Sequence, residues 1–402
     1  MKPRSILLAL VLLAGCGEAP ARNALCAYCS SDAQCAGNPC FQDVSGNRFC
    51  GSPCDSCPAG FSCETVMGTT GPARTCFPNT EACPAEPNGP DAGIPNPSTD
   101  GGMNPMQKGD LAGQIGGIPV GGQVGPTGGT VDRLFFGFTG DTRPADCNFP
   151  QTPYPQSVIN NIFMQMHQMG VQFALDQGDH MFNCGTSSNY YTQDLATARE
   201  QMQDYITAAD LLGKTVFMTM GNHECSGESS ALCTLGSYGN NANYTAFLDA
   251  LKPVASKPYY RFDVMTKSGL AVFLVVADDV WDSAEQSWLT QQLTDADARA
   301  KYTFVAKHHP DGNTDHPEFQ TIYNLVRAHK YTLFLTGHTH EYKHQYNDPR
   351  ALVMGVGGAP LAGNATYFGY GTVLQGADDR IYVSVFDQST GNAVDSFDVG
   401  PQ

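Results

Sequence analysis

Between residues 140 and 340, five short polar motifs each end an apolar run. They are Gly140-Asp141-Thr142-Arg143, Gly178-Asp179-His180, Gly221-Asn222-His223-Glu224, His308-His309-Pro310 and Gly337-His338-Thr339-His340. Asp141, Asp179, Asn222, His308, His338 and His340 make a donor set of mixed oxygen and nitrogen. Such a set suits Zn, Mn or Fe better than Ca or Mg. At a strand end, His338-x-His340 puts both imidazoles on one side, since alternate strand residues share a face, so they can reach two adjacent ions. Taken singly the fragments are weak, since Gly-Asp after a strand is often a turn and His-His-Pro often two exposed histidines. Five of them in series, all at strand ends, are hard to attribute to chance.

The elements that position them begin near Val131. Strand-like runs ("LFFGFTG", "VQFALDQGD", "TVFMTMGNHE", "YYRFDV", "LAVFLVVAD", "YTFVAKHHP", "YTLFLTGHTH", "ALVMGVGG", "RIYVSVFD", "AVDSFDV") alternate with helical ones ("QSVINNIFMQMHQM", "TQDLATAREQMQDYITAADLL", "EQSWLTQQLTDA", "EFQTIYNLVRAH"). This alternation predicts an α/β domain with buried strands. In open α/β sheets ligands bind at the carboxyl ends of strands. Gly140, Gly178, Gly221, Pro310 and Gly337 are expected to turn the chain sharply there. Residues 131–402 are enough for a substantial core.

The ordered motifs "GDTR", "GDH", "GNHE", "HHP" and "GHTH" resemble those of the calcineurin-like metallophosphoesterases, relatives of the purple acid phosphatases. The resemblance spans about residues 131–390. It implies a four-layer αββα sandwich with a two-metal site (Fe, Zn or Mn) between the sheets. It also implies that Asp179 bridges the metals, that Asn222, His308 and His338 complete one site, and that Asp141 and His340 belong to the other. His223 is implied as proton donor or as stabiliser of the leaving oxygen, and His309 as a supporting residue. Two cations sharing a water lower its pKa, and the hydroxide attacks phosphorus in line. The implied substrate is a small phosphomonoester or diester.

The chain departs from that pattern twice. Much of the family reads Asp-x-His in the first motif, where this chain has Arg143. The purple acid phosphatases place a Tyr three residues after the bridging Asp, where this chain has Phe182. The Asp141-side site is therefore expected to be weak or empty. Arg143 cannot ligate a cation. It can clamp a phosphate oxygen, or it can form a salt bridge to an acid such as Asp146. His180 could replace the missing ligand but is expected to support the loop. Gln286 and Trp288 read as helix packing, and Gly355, Gly357 and Gly358 as a strand-to-loop transition.

The net charge of −17 excludes nucleic acid as a stable partner. Lys2 and Arg4 precede a short apolar core ending Leu13-Ala14-Gly15-Cys16. This predicts a signal peptide over residues 1–15. Its end resembles a bacterial lipobox, implying a lipid on Cys16, a tether over 16–25, and anchoring to the bacterial cell envelope at the outer membrane or cell surface. Ten cysteines between Cys26 and Cys83 predict a small disulfide-rich module over 26–83. Its two Cys-x-x-Cys pairs, at Cys26 and Cys54, leave zinc as the alternative. The module loosely resembles EGF-like domains and could bind a protein partner. Residues 84–130 read as a flexible Pro/Gly-rich linker. Cys225 with Cys233, and Cys147 with Cys184, are expected to brace loops. The rival function is a non-catalytic surface-binding or scaffold lipoprotein that keeps the fold.

Overall fold

The run Leu270–Val276 shows how the core is built. Alternate residues of a strand face opposite sides. Here Ala271, Phe273 and Val275 enter one buried cluster, and Val272, Leu274 and Val276 enter another. A strand buried on both faces lies inside a layered structure. The computed structural model describes residues 40–42, 48–52, 54, 57, 61–68, 71–78, 121–146, 148–182, 185–186, 189–190, 194–225, 242–310, 317–344 and 348–401. The expected signal peptide, Cys16, the tether, Cys26-x-x-Cys29, and the Cys147–Cys184 and Cys225–Cys233 pairings fall wholly or partly outside them.

The chain divides into two compact units, Met1–Asp100 and Gly101–Gln402. In the first, β1 (Cys40–Gln42) pairs antiparallel with β2 (Arg48–Cys50), and β3 (Phe61–Gly68) with β4 (Gly71–Pro78). Disulfides join Cys54 to Cys63 and Cys57 to Cys76. Each sulfur of Cys54-x-x-Cys57 is thus committed to a different partner, which removes the zinc alternative for that pair. Among the described residues here, Phe41, Cys50 and Cys76 are the buried apolar side chains, so covalent loops carry much of the constraint.

The second unit holds two main sheets. Its strands are β5 (Gly122–Gly125), β6 (Gly128–Val131), β7 (Phe135–Thr139), β8 (Phe173–Asp176), β9 (Gly185–Thr186), β10 (Asn189–Tyr190), β11 (Val216–Met218), β12 (Tyr260–Thr266), β13 (Gly269–Val275), β14 (Ala300–Ala306), β15 (Leu333–Thr336), β16 (Tyr342–His344), β17 (Ala351–Met354), β18 (Gly369–Gln375), β19 (Ile381–Asp387) and β20 (Ala393–Val399). Its helices are α1 (Gln156–Met169), α2 (Leu195–Ala209), α3 (Ala242–Leu251), α4 (Ser283–Arg299) and α5 (Pro317–Arg327). One sheet runs β11-β8-β7-β18-β19-β20, the other β16-β17-β15-β14-β13-β12-β6-β5, and β9 pairs with β10. Within each main sheet, three neighbours that end at the site are parallel: β11-β8-β7 and β13-β14-β15.

Phenylalanines interlock the facing sheets. Phe136 of β7 meets Phe273 and Phe304 edge-on at 5.4 and 5.2 Å, and Phe173 of β8 meets Phe262 at 5.8 Å. Such pairs each add roughly 0.5–1.5 kcal/mol beyond area burial. On the outer face of the larger sheet, Leu289, Leu293 and Ala296 of α4 and Ile322, Tyr323 and Val326 of α5 cover Val272, Leu274 and Val276. Helices α1 and α2 supply Ile159, Ile162, Phe163 and Met202 to the main core. The expected αββα sandwich is therefore the fold. Asp282 starts α4 by accepting from the Ala284 and Glu285 N–H groups at 2.9 and 2.8 Å. No helix among the described residues is long and apolar enough to cross a membrane.

The fold begins earlier than Val131. The β5–β6 hairpin falls within the expected linker, yet β6 pairs parallel with β12. Its glycine-rich strands carry only Val124 and Val131 into the core, too few for a periodic signal. On α4, Gln286 is exposed, and Glu285 occupies the buried position instead.

Candidate metal centre

All six expected donor residues converge at the carboxyl ends of the two sets of parallel strands. Asp141, Asp179 and Asn222-His223 follow β7, β8 and β11 of one sheet; His308 follows β14, and His338 and His340 follow β15, of the other. Four of these residues have left-handed backbones: Asp141, Asp179, His338 and His340, with φ of 60°, 59°, 75° and 51°. Non-glycine residues there are strained, and such strain concentrates at functional sites. This corrects two expectations. His338 and His340 reach opposite sides of the centre from a left-handed stretch beyond β15, and do not alternate along a strand. Gly221 and Gly337 serve close approach: a Cβ would lie 2.2 Å from Asp179 Oδ1 and 2.6 Å from Asp141 Oδ2, respectively.

Asp179 sits at the centre, 1% exposed. Its Oδ1 lies 3.3 Å from His308 Nε2 and accepts the His223 N–H at 3.1 Å. Its Oδ2 lies 3.4 Å from Arg143 Nε and 3.8 Å from His223 Nε2. Burial disfavours its charge, but His308, His223 and Arg143 outweigh that and hold the carboxyl well below its ordinary range.

On the Oδ1 side, Asn222 Oδ1 lies 3.1 Å from both His308 Nε2 and His338 Nδ1. His308 Nδ1 donates to the Gln177 carbonyl at 2.6 Å, which leaves Nε2 aimed at Asn222 and Asp179. Burial opposes a charged His308, yet Asp179 and Asp141 hold its pKa well above the ordinary value. Asn222 Oδ1 and His308 Nε2 thus link Asp179 of one sheet to His338 of the other, in a chain of donors whose oxygens demand positive charge. A proton on His308 answers only part of that demand, whereas a Zn-, Mn- or Fe-type cation answers all of it. The residues fit a metal.

The Oδ2 side is different. Asp141 Oδ1, Asp179 and His340 can offer atoms within 4.8 Å of one another. Asp141 Oδ1 has no hydrogen-bond partner and lies 3.4 Å from His340 Nε2. Its Oδ2 accepts the His338 N–H at 2.8 Å. Burial, reinforced by Asp179, pushes the Asp141 carboxyl up to about 8, against the pull of His308. His340 Nδ1 donates to the Pro360 carbonyl at 2.8 Å, and burial then Arg143 push its imidazole down to about 4. Arg143 itself is 6% exposed and fills this side. Its partner is Asp179, not Asp146, which instead accepts the Asn148 N–H at 2.8 Å.

His223 is buried beside Asp179, its ring 4.8 Å from Phe182. Burial, then Arg143, hold its imidazole well below the ordinary range. His180 is not a donor to this centre. Its Nε2 meets Asp176 at 3.1 Å and its Nδ1 meets Glu224 at 3.5 Å. Burial would lower its pKa, but those two carboxylates push it up to about 10.

The sequence reading missed the role of Glu224. Its carboxylate accepts four backbone N–H groups: Asp179 and Gly221 at 3.0 and 2.7 Å on Oε2, His180 and Met181 at 2.7 and 3.1 Å on Oε1. It ties the Asp179 loop to the Asn222 loop. It was visible only as the last letter of "GNHE". A second cluster, Asp278, Asp279 and His309, lies beside the centre. Asp278 already accepts from buried Lys307 Nζ at 3.0 Å and from the His309 N–H at 2.9 Å. Its positive charge is thus built in. His309 stacks on Phe319 at 4.0 Å, lies tilted against His338 at 4.2 Å, and supports the site by packing. A cavity of about 940 Å³ lies at the other ends of the strands, beside Gly170 and Lys214, far from these groups in the topology.

A family model described as calcineurin-like phosphoesterase matches residues 138–342, just over half of the 402 residues. No curated protein matches. Among similar solved structures is GAP50, the anchor in the inner membrane complex of Plasmodium (14% identity, 67% of this chain, 89% of that one, TM-score 0.48). Another is the purple acid phosphatase PPD1 from yellow lupin, Lupinus luteus, seeds (16%, 68% and 56%, TM-score 0.48); the match spans little more than half of that enzyme. A third is a dimetal phosphatase from Danio rerio (15%, 67% and 99%, TM-score 0.43). With the family match laid over the strand ends that carry Asp141, Asp179, Asn222, His308, His338 and His340, the chain belongs to the calcineurin-like phosphoesterases.

Proposed function

We propose that this protein hydrolyses phosphomonoesters or phosphodiesters with a metal held by Asp179, Asn222, His308 and His338. The observation that carries this reading is the run of contacts Asp179–His308–Asn222–His338, which joins donors from both sheets at the strand ends. A cation there supplies charge for the phosphate oxygens and acidifies water. The chain's own residues do the rest. Asp179 and its neighbours orient the donors, and Glu224 holds the loops that carry them. His223, buried beside Asp179, is placed to give a hydrogen bond from its neutral imidazole to the leaving oxygen. Arg143 presents N–H groups next to the same carboxylate and can hold a phosphate oxygen.

We further propose an exported, lipid-anchored protein. The charged, apolar start ending in Cys16 supports this, as do the disulfides Cys54–Cys63 and Cys57–Cys76, which suit an oxidising compartment. Residues 26–83 would then be a surface module able to meet a protein partner. The scaffold alternative draws on Arg143 and Phe182. Turnover separates the two. Full-length protein stripped by chelator and reloaded with Mn(II) or Zn(II) should hydrolyse a nitrophenyl phosphate ester. His223→Ala should slow it by about 10²–10⁴-fold. Bound metal without turnover across mono- and diesters would favour the scaffold.

A further inference from the structure

We propose that this centre holds one metal ion and that the Arg143 guanidinium is its permanent second cation. This rests on the phosphoesterase reading and concerns the Asp141 side. A second ion there would need lone pairs from Asp141 Oδ1, Asp179 and His340 Nε2. Arg143 already faces two of these residues at the atoms concerned. Its Nε lies 3.4 Å from Asp179 Oδ2 and its Nη2 lies 3.3 Å from His340 Nε2. Because His340 Nδ1 donates to the Pro360 carbonyl, Nε2 is the bare nitrogen, and arginine is donor-only. The Arg143 N–H therefore points at the lone pair an ion would require.

The guanidinium is held in that position. Its Nη1 donates to the Pro144 carbonyl at 3.1 Å, and its carbon lies 4.7 Å from the centre of the Phe182 ring. Arg143 and Phe182 are the two positions where the chain departs from the family's motifs, and they pack on each other. The loss of an imidazole at one and the lack of a phenol at the other make one unit: an aromatic floor under a fixed cation. A dication a few ångströms from a buried guanidinium meets strong repulsion. Arg143 also keeps N–H groups beyond those contacts. A substrate phosphate would thus be bound between one metal and one arginine.

Full-length protein stripped by chelator and dialysed against Mn(II) tests this through metal content and EPR. Wild type should hold about one Mn(II) per chain with the spectrum of an isolated ion. Arg143→His removes the charge and adds a donor, and should raise occupancy to about two, with exchange-coupled spins. Wild type with two coupled ions overturns the inference, as does a folded Arg143→His chain that stays at one. Wild type with no Mn(II) defeats the phosphoesterase reading itself. The wild-type result decides between these even if the variant fails to fold.

Discussion

Replacing Glu224 by glutamine should loosen the centre without touching any proposed metal donor. The carboxylate is fully buried and accepts two backbone N–H groups on each oxygen. Whichever way a glutamine amide turns, its NH₂ faces two of those donors. Each orphaned buried N–H costs about 1–3 kcal/mol, so the substitution should cost roughly 2–6 kcal/mol. The loss of negative charge beside His180 adds to this. For a unit of this size, each kcal/mol corresponds to a shift of about 2–4 °C in thermal midpoint, giving a fall of about 4–24 °C. Because the clamp fixes the Asp179 backbone, Mn(II) affinity should drop by about 10–100-fold, as for other outer-shell changes. Circular-dichroism melts with and without Mn(II), together with calorimetric titration, read both effects. A shift under about 2 °C with unchanged affinity would refute the claim that this carboxylate holds the two loops.

Lys307→Met should destabilise by roughly 3–5 kcal/mol, because it removes the buried cation beside Asp278 and leaves that carboxylate only its His309 contacts. A loss below about 1 kcal/mol in denaturant titration would show that Asp278 does not depend on this pair. Burial holds the Glu285 carboxyl well above its ordinary value of 4.5. Its contribution is therefore fully present below that value and is lost as pH rises toward its folded value. Glu285→Gln cannot ionise, so its melting temperature should fall less than that of wild type between pH 5 and pH 8. Parallel curves would contradict this. Finally, Mn(II) at about a hundred times its Kd should stabilise stripped protein by about 2.7 kcal/mol. An unchanged melt would mean that the ion does not bind the folded state.

Much of the fold and most of the site were legible because both obey short-range rules. The runs ending in Asp141, Asp179, His308 and His338 are largely buried strands, so they read as continuous apolar segments, and the shorter run before Asn222 buries Phe217 and Met218. Their order then named the residues that the strand ends bring together. What was not legible depended on tertiary contacts. The hairpin Gly122–Val131 has too few apolar residues to show a period, and belongs to the sheet only through its pairing with β12. The Arg143 partner could not be read from sequence, because Asp179 lies in a different loop and Asp146 is the nearer acid along the chain. Glu224 was hidden for a related reason: its acceptors serve backbone groups, which leave no side-chain signature.

The central claim is that Asp179 organises a metal-dependent hydrolytic centre. The most direct measurement is the rate at which chelator-stripped, Mn(II)-reloaded full-length protein hydrolyses bis(4-nitrophenyl) phosphate and 4-nitrophenyl phosphate, for wild type and for Asp179→Ala. The account predicts that reloading restores turnover to wild type, and that Asp179→Ala loses more than about 10³-fold on any ester that wild type cleaves. An Asp179→Ala protein hydrolysing at the wild-type rate would contradict it.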